Sequence, residues 1–131
     1  EEKKPLIINK DMKCNYCNKE AEWVDNKEVY GKSYGKSHKI WLCRPCDAYV
    51  GCHQNSKRPF GTLANRELRS KRIIAKTLFK NKYIAKYGIK NAYVKLSNDL
   101  KIKEKDCHFG MFDIEMCNKF INLTLPSKHI N

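Results

Sequence analysis

Two pairs of cysteines are the residues of this chain whose types and spacing indicate chemistry most clearly. Cys14 and Cys17 form one C-x-x-C knuckle, and Cys43 and Cys46 form a second knuckle 25 residues further along the chain. A tight turn brings both thiolates of a knuckle to one side of the backbone, so four soft ligands can converge on one ion. The spacing predicts one structural Zn²⁺ held tetrahedrally by these four cysteines; the alternative is that one knuckle is only a turn.

The segments between the knuckles predict the two strands of a zinc ribbon. Ala21, Trp23 and Val29 alternate with charged residues, which is typical of a half-buried strand. Residues 38–43 predict the returning strand, and residues 30–37 form a loop with two glycines and two tyrosines. The core of such a hairpin is too small to be stable without the metal.

A helical region is predicted downstream of the ribbon. Residues 47–61 are rich in residues that break regular structure, so we expect an irregular connection there. A helix is then predicted from Thr62, as its N-cap, to about Tyr87. Residues 91–100 predict a second helix, and Asp113 is expected to cap a last one. The predicted fold class is α+β: a small N-terminal zinc ribbon with four cysteine ligands, that is, a β-hairpin, packed on about three C-terminal helices.

Composition excludes a membrane span and indicates a reducing compartment. Of the 131 residues, 41% are hydrophobic, and no apolar run approaches the roughly 20 residues that a span needs. Seven cysteines with paired C-x-x-C spacing favour metal binding over disulfides, so we expect a cytoplasmic protein. The expected organisation is a lead-in (1–13), the ribbon and its connection (14–56), a basic helical region packed on the ribbon as one compact unit (57–125) and a tail (126–131).

The net charge of +13 is concentrated in the middle of the chain. Residues 57–105 carry 15 Lys or Arg against 3 Asp or Glu, whereas residues 1–56 carry 10 against 8 and residues 106–131 carry 2 against 3. A lysine-rich genome composition would raise the total charge, but it would not confine the excess to one segment. The distribution therefore predicts an anionic partner.

The long helix predicted from Thr62 divides into an apolar half and a basic half. At 100° per residue, the apolar half contains Leu63, Ala64, Leu68, Ile74, Ala75, Leu78 and Phe79. The opposite side contains Arg66, Arg69, Arg72, Lys76 and Lys80. Because Lys and Arg neutralise phosphates, this ridge predicts a nucleic acid, DNA or RNA, as the partner.

The ribbon loop is expected to assist this binding through Tyr34 and Lys36. Tyr30, Tyr34 and Trp41 stand among basic residues, an arrangement that suits stacking on unpaired bases. The alternative is that these aromatic side chains only cover a small ribbon core, which fits Trp23 and Trp41 better than the two tyrosines.

Two Cys-His dipeptides, Cys52-His53 and Cys107-His108, admit several interpretations. In the first interpretation they form a second zinc site of two cysteines and two histidines. In the second, His53 replaces one knuckle cysteine as a zinc ligand. In a third interpretation His53 and His108 are catalytic or contact a substrate. In the fourth, the cysteines are small buried hydrophobic residues and the histidines pack or form hydrogen bonds.

A metal-dependent nuclease is the enzymatic alternative. Its candidate carboxylates and imidazoles are scattered along the chain: Asp47, His53, His108, Asp113 and Glu115. No phosphate-binding glycine loop, nucleophile elbow or metalloprotease helix motif is present in the sequence. The sequence therefore gives an enzyme no positive support, and His53 and His108 remain its only catalytic candidates.

Several motifs together resemble a known family. They are C-x-x-C, Tyr30–Gly35 (Y-G-K-S-Y-G), Trp41–His53 (W-L-C-R-P-C-D-A-Y-V-G-C-H), Gly61–Arg69 (G-T-L-A-N-R-E-L-R) and Cys107–Asp113 (C-H-F-G-M-F-D). Over residues 14–121 the chain resembles a family of small zinc-finger-containing domains that are common in bacteriophages and prophages and have no assigned function. The resemblance implies that the four knuckle cysteines hold the metal. It also implies a shared site or core that contains His53, Leu63, Leu68, Arg69, His108, Gly110 and Phe112. Cys52 departs from the family pattern, which argues against a second zinc.

The working hypothesis is a zinc-binding, phage-derived accessory protein that binds nucleic acid through a basic helix in the host cytoplasm. One alternative is an inhibitor or adaptor that docks on a host or defence protein. The other alternative is a metal-dependent nuclease.

Overall fold

The computed structural model describes residues 12–126, in which a three-stranded antiparallel sheet is followed by helices. The α+β class predicted from the sequence is therefore confirmed. The chain divides into two compact units, residues 1–66 and residues 67–131, which we call the ribbon unit and the helical unit. Most of the predicted lead-in and tail lie outside the described residues. The predicted packing of the helical region on the ribbon stays a prediction.

The sheet of the ribbon unit has the strand order β1-β2-β3. Its elements are β1 (Glu22–Asp25), a short helix α1 (Lys27–Tyr30), β2 (Lys39–Cys43) and β3 (Ala48–Gly51). β2 is the central strand, and it is buried from Ile40 to Cys43 on both of its faces. The predicted two-stranded hairpin is therefore extended by a third strand.

The third strand corrects the irregular connection predicted after the second knuckle. That knuckle is itself the turn between β2 and β3, because Cys43 pairs with Ala48 across it. Tyr49 and Val50 then continue the ladder, as aromatic and β-branched residues favour. The breaker-rich composition of the whole segment hides this short run from a sequence-based prediction.

Helix α1 corrects the strand predicted to continue to Val29. The carboxylate of Asp25 accepts a hydrogen bond from the Lys27 N–H at 2.9 Å, which turns the chain out of β1 into a helical turn. Gly31 ends the turn with φ +86°, a left-handed conformation that glycine adopts without strain.

The helical unit consists of one long helical run followed by two shorter helices. The run contains α2 (Arg66–Phe79), a π-helical turn (Lys80–Ile84) and α3 (Ala85–Tyr87). The two shorter helices are α4 (Ile89–Leu100) and α5 (Ile114–Thr124). Between them lie two 3-10 turns, at Glu104–Asp106 and Phe109–Met111. The predicted end at Tyr87 is confirmed. Asp113 caps α5 as predicted, because its Oδ1 accepts from the Met116 N–H at 2.9 Å.

The predicted N-cap at Thr62 is wrong, because Thr62 lies in a bend and Ala64, two residues later, still pairs with a strand residue. Ala64 exchanges two backbone hydrogen bonds with Tyr49, both 3.0 Å long, and belongs to the ribbon unit. The helix begins only at Arg66. None of the helices within residues 12–126 is long and apolar enough to cross a membrane.

Phenylalanine rings form the centre of the helical unit. Phe79, Phe109 and Phe120 lie with their ring centroids 5.2 to 6.2 Å apart, and each is at most 5% exposed. Tyr83 from the π-helical turn and Phe112 pack against this group. The helices of this unit are therefore packed around a cluster of aromatic rings.

Candidate functional site

The first cysteine knuckle is a hairpin turn closed by backbone hydrogen bonds. Lys13 and Glu20 pair across it, and the Cys14 N–H donates to the Lys19 carbonyl at 2.8 Å. Asn18, which follows the second cysteine, adopts φ +66°. Asparagine tolerates this left-handed conformation better than most residues do, and the conformation turns the chain back after the ligands.

The second knuckle, between β2 and β3, also has a residue of left-handed conformation directly after its second cysteine. Asp47 follows Cys46 with φ +50°, and its N–H donates to the Arg44 carbonyl at 3.1 Å. The Arg44 side chain also reaches Glu22 and Glu28, with N–O distances of 2.8 and 2.9 Å. These half-exposed ion pairs contribute little free energy, but they connect the knuckle to β1 and α1.

The two turns bring all four knuckle sulfur atoms into one cluster. The sulfurs of Cys14, Cys17, Cys43 and Cys46 lie within 4.8 Å of one another. The Sγ atoms of Cys17 and Cys43 are 3.7 Å apart. A zinc ion about 2.3 Å from each sulfur holds the four sulfurs of a tetrahedron about 3.8 Å apart. The donor set and its dimensions therefore fit a tetrahedral zinc site.

The ionisation of these thiols explains why the cluster favours a cation. Burial and the three neighbouring thiols raise the pKa of Cys46 to about 12. Burial also raises the pKa of Cys43, whereas a hydrogen bond from the Lys19 N–H lowers the pKa of Cys17. Four thiolates at this distance repel one another, and a divalent cation between them makes the ionised form favourable.

The sequence matches a family described as a zinc-finger-containing domain over residues 10–126. The chain belongs to this family. Comparison with curated proteins and with solved structures gave no significant match. Together, the family and the four-cysteine cluster establish one structural Zn²⁺ with the ligands that the spacing predicts.

Within residues 12–126 the four knuckle cysteines form the metal cluster, and His53 is not part of it. The interpretation that joins both Cys-His dipeptides in one zinc site would combine residues of the two units and stays a prediction. Cys52 and Cys107 are buried, and their thiols face the backbone carbonyls of Lys57 and Lys103 at 3.8 and 3.6 Å. They are buried hydrophobic residues, as the fourth interpretation predicts.

The two candidate catalytic histidines have ordinary surroundings. The ring of His53 packs edge-on against Phe60, with centroids 4.6 Å apart. His108 is exposed and lines a hollow of about 360 Å³ with Asp106 and Asp113, but Asp113 is already the cap of α5. Within the part of the chain that the structure describes, residues 12–126, neither imidazole has a hydrogen-bond partner that would mark it as a general base.

The basic ridge predicted on α2 is only partly exposed. Arg66, Lys76 and Lys80 are exposed and Arg69 is half-buried, whereas Arg72 is 8% exposed and donates from Nε to the Phe112 carbonyl at 3.0 Å. The prediction that Arg72 lies on the outer face is therefore wrong, and so is the burial expected for Ile74, which is 46% exposed. The buried face of α2 is rotated toward Arg72 because the guanidinium finds a carbonyl acceptor within the unit.

The ribbon loop presents its tyrosines to solvent, as expected. Tyr30 and Tyr34 are 51% and 49% exposed and form an edge-to-face pair with centroids 5.5 Å apart. Lys36 lies on the same loop and is exposed. Trp41, in contrast, is 2% exposed and belongs to the ribbon core, so it has no free face for stacking.

Sequence reasoning missed the residue that shapes this loop. Asn26 is 6% exposed, and its side-chain amide makes two hydrogen bonds of 3.0 Å with the backbone N–H and carbonyl of Tyr34. An asparagine directly after a strand is a turn signal, but its partner eight residues away leaves no local pattern.

Proposed function

We propose that this protein binds nucleic acid and that α2 makes the main contacts to phosphate groups. The observation that carries this proposal is a basic stripe formed by Arg66, Arg69, Lys76 and Lys80. At 100° per residue these four side chains fall within about 80° of the helix circumference, over about 21 Å of its length. Within residues 12–126, Arg66, Lys76 and Lys80 form no ion pair with a carboxylate.

Three unpaired cations on one side of a helix repel one another when the protein is free. Lys76 and Lys80 are four residues apart, and a pair of like charges at this spacing destabilises a helix by a few tenths of a kcal/mol. Phosphate groups remove this repulsion and release condensed counterions, so the binding gains free energy that depends steeply on salt. Tyr34 and Lys36 assist the binding: Tyr34 stacks on a base, and Lys36 attracts a phosphate group through its charge.

The biological setting of this proposal follows from the sequence. Four zinc-binding thiolates persist in a reducing compartment, which favours the cytoplasm. The phage-derived, accessory role that the family resemblance implies is part of the proposal. On this account the zinc has a structural role and takes no part in the binding chemistry.

Charge reversal of the stripe tests the proposal. We expect the triple variant R66E/K76E/K80E to lose binding to a fluorescein-labelled oligonucleotide at low salt, as measured by anisotropy. For duplex DNA, the log–log salt slope of the wild-type protein should exceed that of R66Q/K76Q/K80Q by about 3, because each phosphate contact contributes about 0.9.

The matched control is K90E/K103E/K105E, which makes the same charge change at exposed lysines outside α2. The control should keep most of the affinity. Equal losses in the two triple variants would mean that only net charge matters. Absence of wild-type binding at low salt would contradict the proposed function.

A protein-docking function is the second candidate, and Ile73 is the observation that favours it. This side chain is 64% exposed and lies on α2 within the basic stripe. An exposed apolar side chain with a basic surround suits an inhibitor or adaptor that binds an acidic host or defence protein. A host protein retained after nuclease treatment, and lost with Ile73→Asp but not with Thr77→Asp, would favour this candidate.

A further inference from the structure

A groove in the ribbon unit lies beside β1, between the loop that precedes β2 and the turn at residues 55–57. Its volume is about 450 Å³. We call it the ribbon groove, and the residues that line it are Trp23, Asp25, Lys36, Ser37, His38, Lys39, Asn55, Ser56 and Lys57. The zinc site uses none of these residues.

The charge in the ribbon groove is predominantly positive. Within residues 12–126, Lys36, Lys39 and Lys57 form no ion pair with a carboxylate. The one lining carboxylate, Asp25, accepts hydrogen bonds from the Lys27 N–H at 2.9 Å and from Ser33 Oγ at 2.7 Å. Because both bonds end on its Oδ1, the carboxylate serves the local turn rather than the lysines.

Two of these lysines are gathered around one aromatic ring. The Nζ atoms of Lys39 and Lys57 lie 4.7 and 4.9 Å from the ring centroid of Trp23. The ring attracts each ammonium group, but it neutralises neither of them. Because both lysines also line the same groove, an anion that enters the groove is attracted by both charges.

The backbone on both sides of the groove is fixed before any ligand arrives. On one side, the Asn26 side chain donates to the Tyr34 carbonyl and accepts from the Tyr34 N–H, and these two bonds hold the loop that carries Lys36. On the other side, Trp41 Nε1 donates to the Lys57 carbonyl at 2.8 Å. A site whose walls are already ordered loses less entropy when it binds a ligand.

The hydroxyl group of Ser56 completes the donor set, whereas that of Ser37 donates to the His53 carbonyl at 3.5 Å. Ser56 Oγ accepts from the Arg58 N–H at 2.9 Å, which leaves its own hydroxyl hydrogen for a ligand. Ammonium and hydroxyl donors around a groove suit a phosphate group, which offers several acceptor oxygens and negative charge. Tyr34 is two residues before Lys36, so at most about 7 Å of backbone separates an exposed aromatic ring from the groove lining.

We propose that the ribbon groove is a phosphate-binding site. The phosphate is a backbone phosphodiester of an unpaired nucleic-acid strand, one base of which stacks on Tyr34. The second statement rests on the proposed function and deepens it, because stacking on an exposed ring requires a base that is not paired. The site shares no residue with the stripe on α2 and adds a preference for single strands.

The first part of the experiment measures oligonucleotide binding by the zinc-loaded, full chain. The probes are a short fluorescein-labelled oligothymidylate and a labelled duplex of the same length. We expect K39Q/K57Q to bind the single strand about tenfold more weakly, with a salt slope smaller by about 1.4, because each single-strand phosphate contact contributes about 0.7. The matched control K13Q/K19Q removes two exposed charges elsewhere in the same unit and should bind like the wild-type protein.

Tyr34 variants separate stacking from charge. Tyr34→Phe keeps the ring and should bind the single strand normally, whereas Tyr34→Ala should lose about fivefold or more of the affinity. Neither change should alter duplex binding. Equal single-strand affinity of the two variants would overturn the stacking contact.

The second part uses inorganic phosphate as the probe and follows backbone amide chemical shifts. Phosphate should shift amides of residues 36–39 and 55–57, and K39Q/K57Q should abolish these shifts. If phosphate shifts these amides but K39Q/K57Q binds the oligonucleotide normally, the groove takes a free phosphate compound and the strand assignment is wrong. If phosphate causes no shifts and K39Q/K57Q matches its control, the inference fails.

These outcomes are distinguishable from failure of the proposed function. If the wild-type protein binds oligonucleotides and only the α2 charge reversal abolishes binding, the proposed function stands without the groove. If the wild-type protein binds no oligonucleotide, the proposed function and the strand assignment fail together, and the phosphate titration alone decides whether the groove is an anion site.

Discussion

The buried side chains of the ribbon unit are mostly small, whereas those of the helical unit are mostly large and apolar. The ribbon unit buries four large apolar side chains, those of Ile40, Trp41, Leu42 and Leu63, and its other buried apolar members are cysteines and alanines: Cys14, Ala21, Cys43, Ala48, Cys52 and Ala64. The helical unit buries four phenylalanines together with Leu68, Leu96 and Leu100. Buried apolar area is the main source of folding free energy. We therefore expect only the helical unit to have a core large enough to keep it folded without the metal.

The two units of this small protein are therefore stable for different reasons. The ribbon unit is stabilised by zinc coordination at two hairpin turns, and the helical unit is stabilised by the packing of aromatic rings between helices. A measurement that reports on each unit separately can test this. The chain has two tryptophans, Trp23 and Trp41, and both belong to the ribbon unit, so tryptophan fluorescence reports on the ribbon and the circular dichroism at 222 nm mainly on the helices.

The largest expected effect is the loss of one zinc ligand. Cys43→Ser should prevent zinc binding and unfold the ribbon unit, because zinc contributes about 10–16 kcal/mol to the folding of small zinc-dependent peptides. Zinc content and tryptophan fluorescence measure the change. Cys52→Ala is the matched control, since it alters a buried cysteine of the same unit that is not a ligand, and it should keep one zinc per chain.

The next effect concerns the core of the helical unit. Phe120→Ala should lower the free energy of unfolding of this unit by about 3–5 kcal/mol, because it leaves a cavity among the rings of Phe79, Tyr83 and Phe109. Denaturant titration followed at 222 nm measures it. Zinc content and tryptophan fluorescence should not change, and a loss of zinc in this variant would contradict the separation of the two units.

A smaller effect is expected at Arg72. Arg72→Met keeps the apolar stem but leaves the Phe112 carbonyl without the Nε donor, which should destabilise the helical unit by about 1–3 kcal/mol. Lys76→Met, at an exposed position of the same helix, should change stability by less than about 0.5 kcal/mol. If Arg72→Met reduced oligonucleotide affinity while leaving stability unchanged, the buried role of Arg72 would be wrong.

The smallest effect is expected at the cap of α5. Asp113→Ala should cost about 1 kcal/mol, because the Met116 N–H loses its acceptor, whereas Asp113→Asn should cost little because asparagine is also a good cap. The same denaturant titration measures both variants. Equal stabilities of the alanine and asparagine variants would show that the cap contributes nothing measurable.

Features with a local cause could be predicted from the sequence. The ligand set follows from the two C-x-x-C spacings, and the start of α5 follows from an aspartate before an apolar run. The buried Arg72 could not be predicted, because its acceptor at Phe112 lies forty residues away and an arginine on a helix otherwise indicates an exposed face. The ribbon groove was missed for the same reason, since Trp23, Lys39 and Lys57 are brought together by the fold and share no motif.

The most direct test is to remove zinc from the intact chain with a chelator while tryptophan fluorescence and the circular dichroism at 222 nm are recorded together. The account predicts that tryptophan fluorescence shifts to that of exposed tryptophan as zinc leaves, while most of the signal at 222 nm remains and the cooperative denaturant transition of the helices persists. Simultaneous loss of both signals would show that the helical unit also depends on the metal. Retention of the native tryptophan signal without zinc would show that the ribbon unit does not depend on it, and either result would contradict the account.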